Sequence, residues 1–148
     1  MANLVTNIGK GRFVYYAGLP AADDSLVAVV LEATGLESDD ALQDYDDLAS
    51  LLAGASNEQI TMGRKTLVNV TVNVNDAANS ASIDCDDITW TAATGNATGK
   101  MVICYKPTAS ATDAQMIPLT LHDFSVTPDG TDITVQINAA GLATAANA

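Results

Sequence analysis

The feature that most constrains this chain is the stretch Leu67 to Asn75, LVNVTVNVN. Val68, Val70, Val72 and Val74 fall on one side of an extended backbone; Asn69, Thr71, Asn73 and Asn75 fall on the other. Period two with β-branched residues on one face predicts a half-buried strand. One such strand is not stable alone; it needs neighbouring strands and a second layer over its valines. The expected fold is therefore mainly β: an antiparallel β-sandwich or small barrel with this strand near its centre.

The chain has 148 residues, enough for one domain with short appendages. Its 48% apolar content excludes a disordered chain. With only seven aromatics, the core must be built mainly from Val, Ile and Leu. The 18 acids against 6 bases give a net charge of −12. Phosphate backbones and anionic membrane surfaces repel such a chain, so neither nucleic acid nor membrane is expected as a direct partner. The same charge serves solubility equally well. Cys85 and Cys104 are too few for a disulfide scaffold and sit in apolar strand patterns. Free buried thiols are expected, with a cross-strand disulfide left open. No apolar run reaches the ~18 residues of a membrane helix. MANLVTNIGKGRF lacks a signal peptide's apolar centre, so synthesis in a cytoplasm without export by the ordinary route is expected.

In chain order, residues 1–11 read as an N-terminal arm, 12–138 as the β-rich domain and 139–148 as a small-residue tail. Arg12 to Gly18 reads as a first strand. Pro20 breaks it, and the continuous apolar run Ser25 to Leu31 reads as a second strand buried on both faces. One inserted amphipathic α-helix is expected over residues 38–53, with Leu42, Tyr45, Leu48, Leu51 and Leu52 in one stripe and Gly54 ending it. Between Phe13 and Gly63 there are ten acids and no Lys or Arg. Ser82 to Asp86 should pair with the Val strand as a hairpin. Further strands are expected at Ile88–Thr91, Lys100–Tyr105 and Thr131–Asn138, and at Met116–Leu121 and His122–Val126, two runs interrupted at His122-Asp123.

The candidates for chemistry are few. His122-Asp123 could supply a general base. Yet it is the one His of the chain, and adjacent strand residues point to opposite faces. Asp84 and Asp86 would share a strand face at ~7 Å, with Asp87 beside them, a weak hard-cation pattern that lacks EF-hand spacing. The cysteines are not at zinc spacing, and GNATGK at Gly95–Lys100 is one residue short of a phosphate loop. No catalytic residue, metal site or cofactor is assigned, and no enzyme is expected. The acidic run Asp39, Asp40, Asp44, Asp46 and Asp47 reads as a solvated face or as a docking surface for a basic partner.

Four phrases carry a resemblance: DALQDYDDLASLLAGASNE, RKTLVNVTVNVND, DITWTAATGNATGKMVICYKP and IPLTLHDFSVTPDGTDITVQI. Across most of residues 40–137 the chain resembles a family of small virion structural proteins of tailed bacteriophages, of the kind encoded near the major capsid protein. It departs at the C-terminus, where that family carries an aromatic-containing ending after AAG and this chain has Leu142-Ala143-Thr144. The resemblance implies a non-enzymatic capsid decoration (cement) protein. It would bind the major capsid protein on the outer face of the shell, after assembly in the host cytoplasm, and self-associate, by analogy as a trimer on three-fold axes. Lys10, Arg12 and Phe13 of the arm, and Asp39, Asp40, Asp44 and Asp47 of the helix, are the expected partner contacts. Two other readings are a tail-tube or tail-terminator component, and a host-surface or glycan-binding module using Tyr16, Trp90 and Tyr105.

Overall fold

The computed structural model of the protein describes residues 4–146. In chain order its elements are β1 (Leu4–Val5), α1 (Asn7–Ala17), β2 (Ser25–Glu32), α2 (Asp39–Leu42), α3 (Leu48–Ala53), β3 (Lys65–Thr66), β4 (Thr71–Asn75) and β5 (Ser80–Asp84). They continue with β6 (Ile88–Trp90), β7 (Thr98–Lys106), a 3₁₀ turn at Asp113–Gln115, β8 (Ile117–Asp123), β9 (Ile133–Val135) and β10 (Ala143–Ala146). Residues 1–3 of the expected arm and 147–148 of the expected tail lie outside the described residues.

The fold is mainly β and antiparallel, as the alternation predicts. Its centre is a five-stranded sheet in the order β1-β8-β7-β2-β3. Six consecutive residues of β2 and eight of β7 are buried, so both faces of this strand pair are covered. That is why SLVAVVL and KMVICY read as unbroken apolar runs. On one face, Val27, Val29, Leu31, Val102, Cys104 and Leu121 meet Leu42, Leu48 and Leu51 of α2 and α3. On the other, Leu26, Ala28, Val30, Met101 and Ile103 meet Phe13 and Ala17 of α1, Ile83 of β5 and Trp90 of β6. A three-stranded sheet, β10-β5-β4, and a two-stranded one, β6-β9, complete this second layer. The β4–β5 pairing is the expected hairpin. Cys85 and Cys104 are free thiols.

Four expectations need correction. The Val stretch is not central. Asn69 takes a left-handed backbone (φ 53°), tolerable for Asn, and this splits the run. Leu67 donates its N–H to Leu26 O of β2; beyond Asn69 the chain enters β4, an edge strand. Val70 and Val72 pack on the core, whereas Val68 and Val74 are exposed.

Arg12 to Gly18 is not a strand but the second half of α1, kinked at Arg12 (φ −140°, ψ 27°). The β-forming preference of Val14, Tyr15 and Tyr16 is overridden by packing, because Phe13 and Ala17, four apart, seat the helix on the core. The helix over 38–53 is two short helices. The first ends at Leu42, and Asp47 opens the second as its N-cap, the carboxylate accepting from Ser50 N at 2.8 Å. Last, β8 continues unbroken through His122 and ends at Asp123, and Phe124 to Val126 form no strand.

Helix α1 is fixed to β8 by an unusually close contact. Thr6 is its N-cap, fully buried: its hydroxyl donates to Pro118 O and accepts from Gly9 N at 3.1 Å. Opposite, β8 carries one extra residue, since Ile103 pairs with Thr120 but Cys104 with Pro118. This bulge turns Leu119 into the α1-side core and leaves Pro118, which has no N–H, at the irregularity. A Cβ on Gly9 would meet Leu119 O at 2.8 Å and Leu119 Cα at 3.2 Å, both backbone atoms. Helix propensity alone predicts that Gly9→Ala stabilises by about 1 kcal/mol. The contact predicts the opposite sign, a loss of about 1–3 kcal/mol. Urea unfolding of the two proteins decides between them, and an unchanged or raised midpoint rejects the close-approach account.

Candidate interaction surface

All six basic side chains are described, and they are used unequally. Lys100 is buried (0% exposed). Arg64 is half-buried between two carboxylates. It donates Nε and Nη2 to Glu58 (2.8 and 2.7 Å), and Nη1 and Nη2 to Asp113 (2.5 and 3.0 Å). The guanidinium holds the Asp113 carboxyl below the usual carboxylate range and is itself held protonated. Lys65 and Lys106 are half-buried. Only Lys10 and Arg12 are exposed, and both lie on α1.

Around them α1 presents apolar and aromatic surface. Tyr15 is 55% exposed and Val14 39%. The Arg12 guanidinium stands 5.7 Å from the Tyr15 ring centroid, and the Tyr15 and Tyr16 rings meet edge to face at 5.5 Å. Lys10, Arg12, Val14, Tyr15 and Ala145 of β10 line one depression. Phe13, expected as a partner contact, is 5% exposed and points into the core, so it holds the helix in place rather than meeting a partner.

The acidic stretch divides as well. Asp40 and Asp44 are exposed; Asp39 is ion-paired to Lys100 at 3.0 Å, and Asp47 is occupied as the α3 cap. The acidic and basic regions abut at Asn7, whose backbone N–H donates to Gln43 O and whose side-chain amide donates to Asp44. The structure therefore brings Lys10 and Asp44 onto neighbouring surface. Tyr15 and Val14 were hidden from sequence reasoning by the strand assignment. Read at helical spacing, with Phe13 and Ala17 inward, they fall on the outer face.

The other candidates resolve into structure. Trp90 is 1% exposed, its indole N–H donating to Gly63 O at 2.9 Å, and Tyr105 is 6% exposed, so neither offers a platform to a glycan. Asp84 accepts from Cys85 N, Asp86 from Asn69 and Asp87 from Ile137 N. Among the described residues no group of three or more His, Cys, Asp or Glu is placed to hold a metal ion. Burial and the neighbouring Asp84, Asp86 and Asp87 push the Cys85 thiol up to about 11, and burial pushes Cys104 higher. Neither is a thiolate nucleophile at neutral pH. No helix among the described residues is long and apolar enough to cross a membrane.

In comparisons with known proteins, no protein-family model, no curated protein and no solved structure matches the chain.

His122 lies on β8 beneath the C-terminal segment, lining clefts shared with Gly141 and Leu142. Its Nε2 is 2.8 Å from Thr120 Oγ1. Burial, reinforced by nearby Lys100 and only partly opposed by Asp123, lowers its pKa from 6.5 to about 4. Between those values the unfolded chain binds a proton that the folded chain refuses. The stability is fully present above pH 6.5 and is lost as pH falls toward 4. The loss amounts to about 2 kcal/mol by pH 5. Denaturant unfolding at pH 7 and pH 5 should show this slope, and His122→Gln should flatten it; an equal slope in the variant assigns the acid lability elsewhere.

Proposed function

We propose that the protein is a non-enzymatic capsid decoration (cement) protein of a tailed bacteriophage. It binds the outer face of the assembled shell and braces contacts between major capsid subunits. The observation that carries the reading is the outer face of α1. On a body of net charge −12, the two exposed cations stand together with the exposed Tyr15 and Val14. A cation–aromatic cluster is the composition of an interface centre rather than of a solvated surface. The resemblance of residues 40–137 to small virion structural proteins supports the same reading. The partner surface is one that offers carboxylates to Lys10 and Arg12 and an apolar recess to Tyr15. Asp44, joined through Asn7 to Lys10, borders the cluster and, with the exposed Asp40, steers the docking, disfavouring acidic surfaces that lack the matching recess. Self-association, as trimers on three-fold axes, is part of the proposal.

The test is cosedimentation with expanded capsids, with unexpanded procapsids and isolated tails as controls. Saturating binding to expanded shells, at a fixed ratio to capsid subunits, is expected. Arg12→Glu with Tyr15→Ala should weaken it at least tenfold while leaving the unfolding midpoint unchanged, because both side chains point outward. Deleting residues 2–11 is a poorer probe, since it removes the buried Thr6 cap. Binding to tails alone, with hexameric rings in solution, would replace the reading by a tail component. Binding to none of the three removes the virion reading.

A further inference from the structure

Lys100 is the most anomalous side chain in the fold: a lysine at the start of β7 with no solvent contact. Its Nζ lies 2.7 Å from Asp123 Oδ1 and 3.0 Å from Asp39 Oδ1. Lys100 and Asp123 face each other directly across the antiparallel β7–β8 ladder. Asp39 reaches the same nitrogen from the first turn of α2. An amine, a carboxyl group within bonding reach and a second carboxylate on the amine, in a site closed around the nitrogen, are the parts needed for amide formation. We propose that Lys100 and Asp123 form an intramolecular isopeptide bond, with Asp39 as the proton carrier. The inference stands apart from the capsid reading and survives its failure.

The step needs no external reagent. Asp39 takes a proton from the Lys100 ammonium, leaving a neutral amine. The Nζ lone pair attacks Cγ of Asp123, and the N–C bond forms. The second amine proton and the one held by Asp39 pass to the departing oxygen, the Cγ–O bond breaks and one water leaves. Ammonium plus carboxylate become amide plus water, with no net change in protons, charge or oxidation state. Two features of the fold favour it. The ladder holds the reacting atoms together, which replaces an encounter by a unimolecular step. Burial opposes the charged pair, since desolvating each ion costs several kcal/mol, and the amide removes both charges. The outer side of Asp123, 42% exposed, gives the water an exit.

The intact mass of the full chain, measured after denaturation, reads the bond directly. The folded wild type should be lighter than its sequence by one water, and a protease digest should yield one branched peptide joining the segments of Lys100 and Asp123. Lys100→Arg should restore the full mass. So should Asp39→Asn, in a chain whose far-ultraviolet spectrum is unchanged. Full mass in the wild type after prolonged incubation of the folded protein overturns the proposal. So does a lost water that maps to a linear peptide at Asp129-Gly130, where an aspartyl imide would form. A branched peptide that persists in Asp39→Asn overturns the role of Asp39. The wild-type measurement does not depend on any variant folding.

Discussion

The structure depends on one constraint: β2 and β7 are apolar on both faces and must be covered twice. Leu26, Ala28 and Val30 require a layer on one side, and Val27, Val29 and Leu31 require another. Covering one face with α2 and α3, and the other with α1 and two small sheets, is the solution adopted. Each fully buried Leu or Val contributes roughly 1.5–3 kcal/mol relative to exposure, which makes the double coverage the dominant stabilising term. The small sheets are thin because they need only to close the second face. This is why β4 can leave Val74 67% exposed without loss to the core.

Charge organises what packing leaves. Two of the six bases, Arg64 and Lys100, are fixed inside carboxylate pairs that join separate parts of the chain. Arg64 ties the loop after α3 to the 3₁₀ turn before β8, over the buried Met116. Lys100 ties α2 to the β7–β8 ladder. Removing either cation would leave two carboxylates facing each other, so these acids do not belong to the free negative surface, despite their place in acidic sequence runs. Of the remaining bases, Lys65 and Lys106 are half-buried, and the fully exposed ones are both on α1.

What was legible in the sequence follows from which signals are local. The buried strands announced themselves in the runs Ser25 to Leu31 and Lys100 to Tyr105, because two-sided burial makes nearly every residue apolar. The hairpin of β4 and β5 was visible for the same reason, through period two. The Val stretch misled because alternation reports a strand but not its rank in the sheet, and Asn69 hides a left-handed break behind an ordinary polar residue. Helix α1 was missed because Val14-Tyr15-Tyr16 favours a strand, and only contacts with β8, more than a hundred residues away, outvote that preference. The Lys100 cluster was not readable at all. It needs the register that sets residue 100 against 123 and the turn that brings in residue 39. A solitary Lys opening one apolar strand and a solitary Asp closing another were the only trace.

The anchoring of α1 bears on how a load would travel. The helix meets the central sheet through Thr6 on Pro118 and Gly9 on Leu119, both at the bulge of β8. A pull on Tyr15 therefore reaches β8 first. β8 passes it to β7 along a ladder of backbone bonds, and β1, its other neighbour, is only two residues long. The β7–β8 pairing is thus one path from the outer face of α1 to the core, beside the direct packing of Phe13 and Ala17. Its Lys100–Asp123 contact sits at the end of β8 remote from the bulge, at the last paired residue. A strand peeled from the bulge loses its backbone bonds one at a time and arrives at that contact last. A bond there, ionic or covalent, sets whether the peeling strand separates or holds.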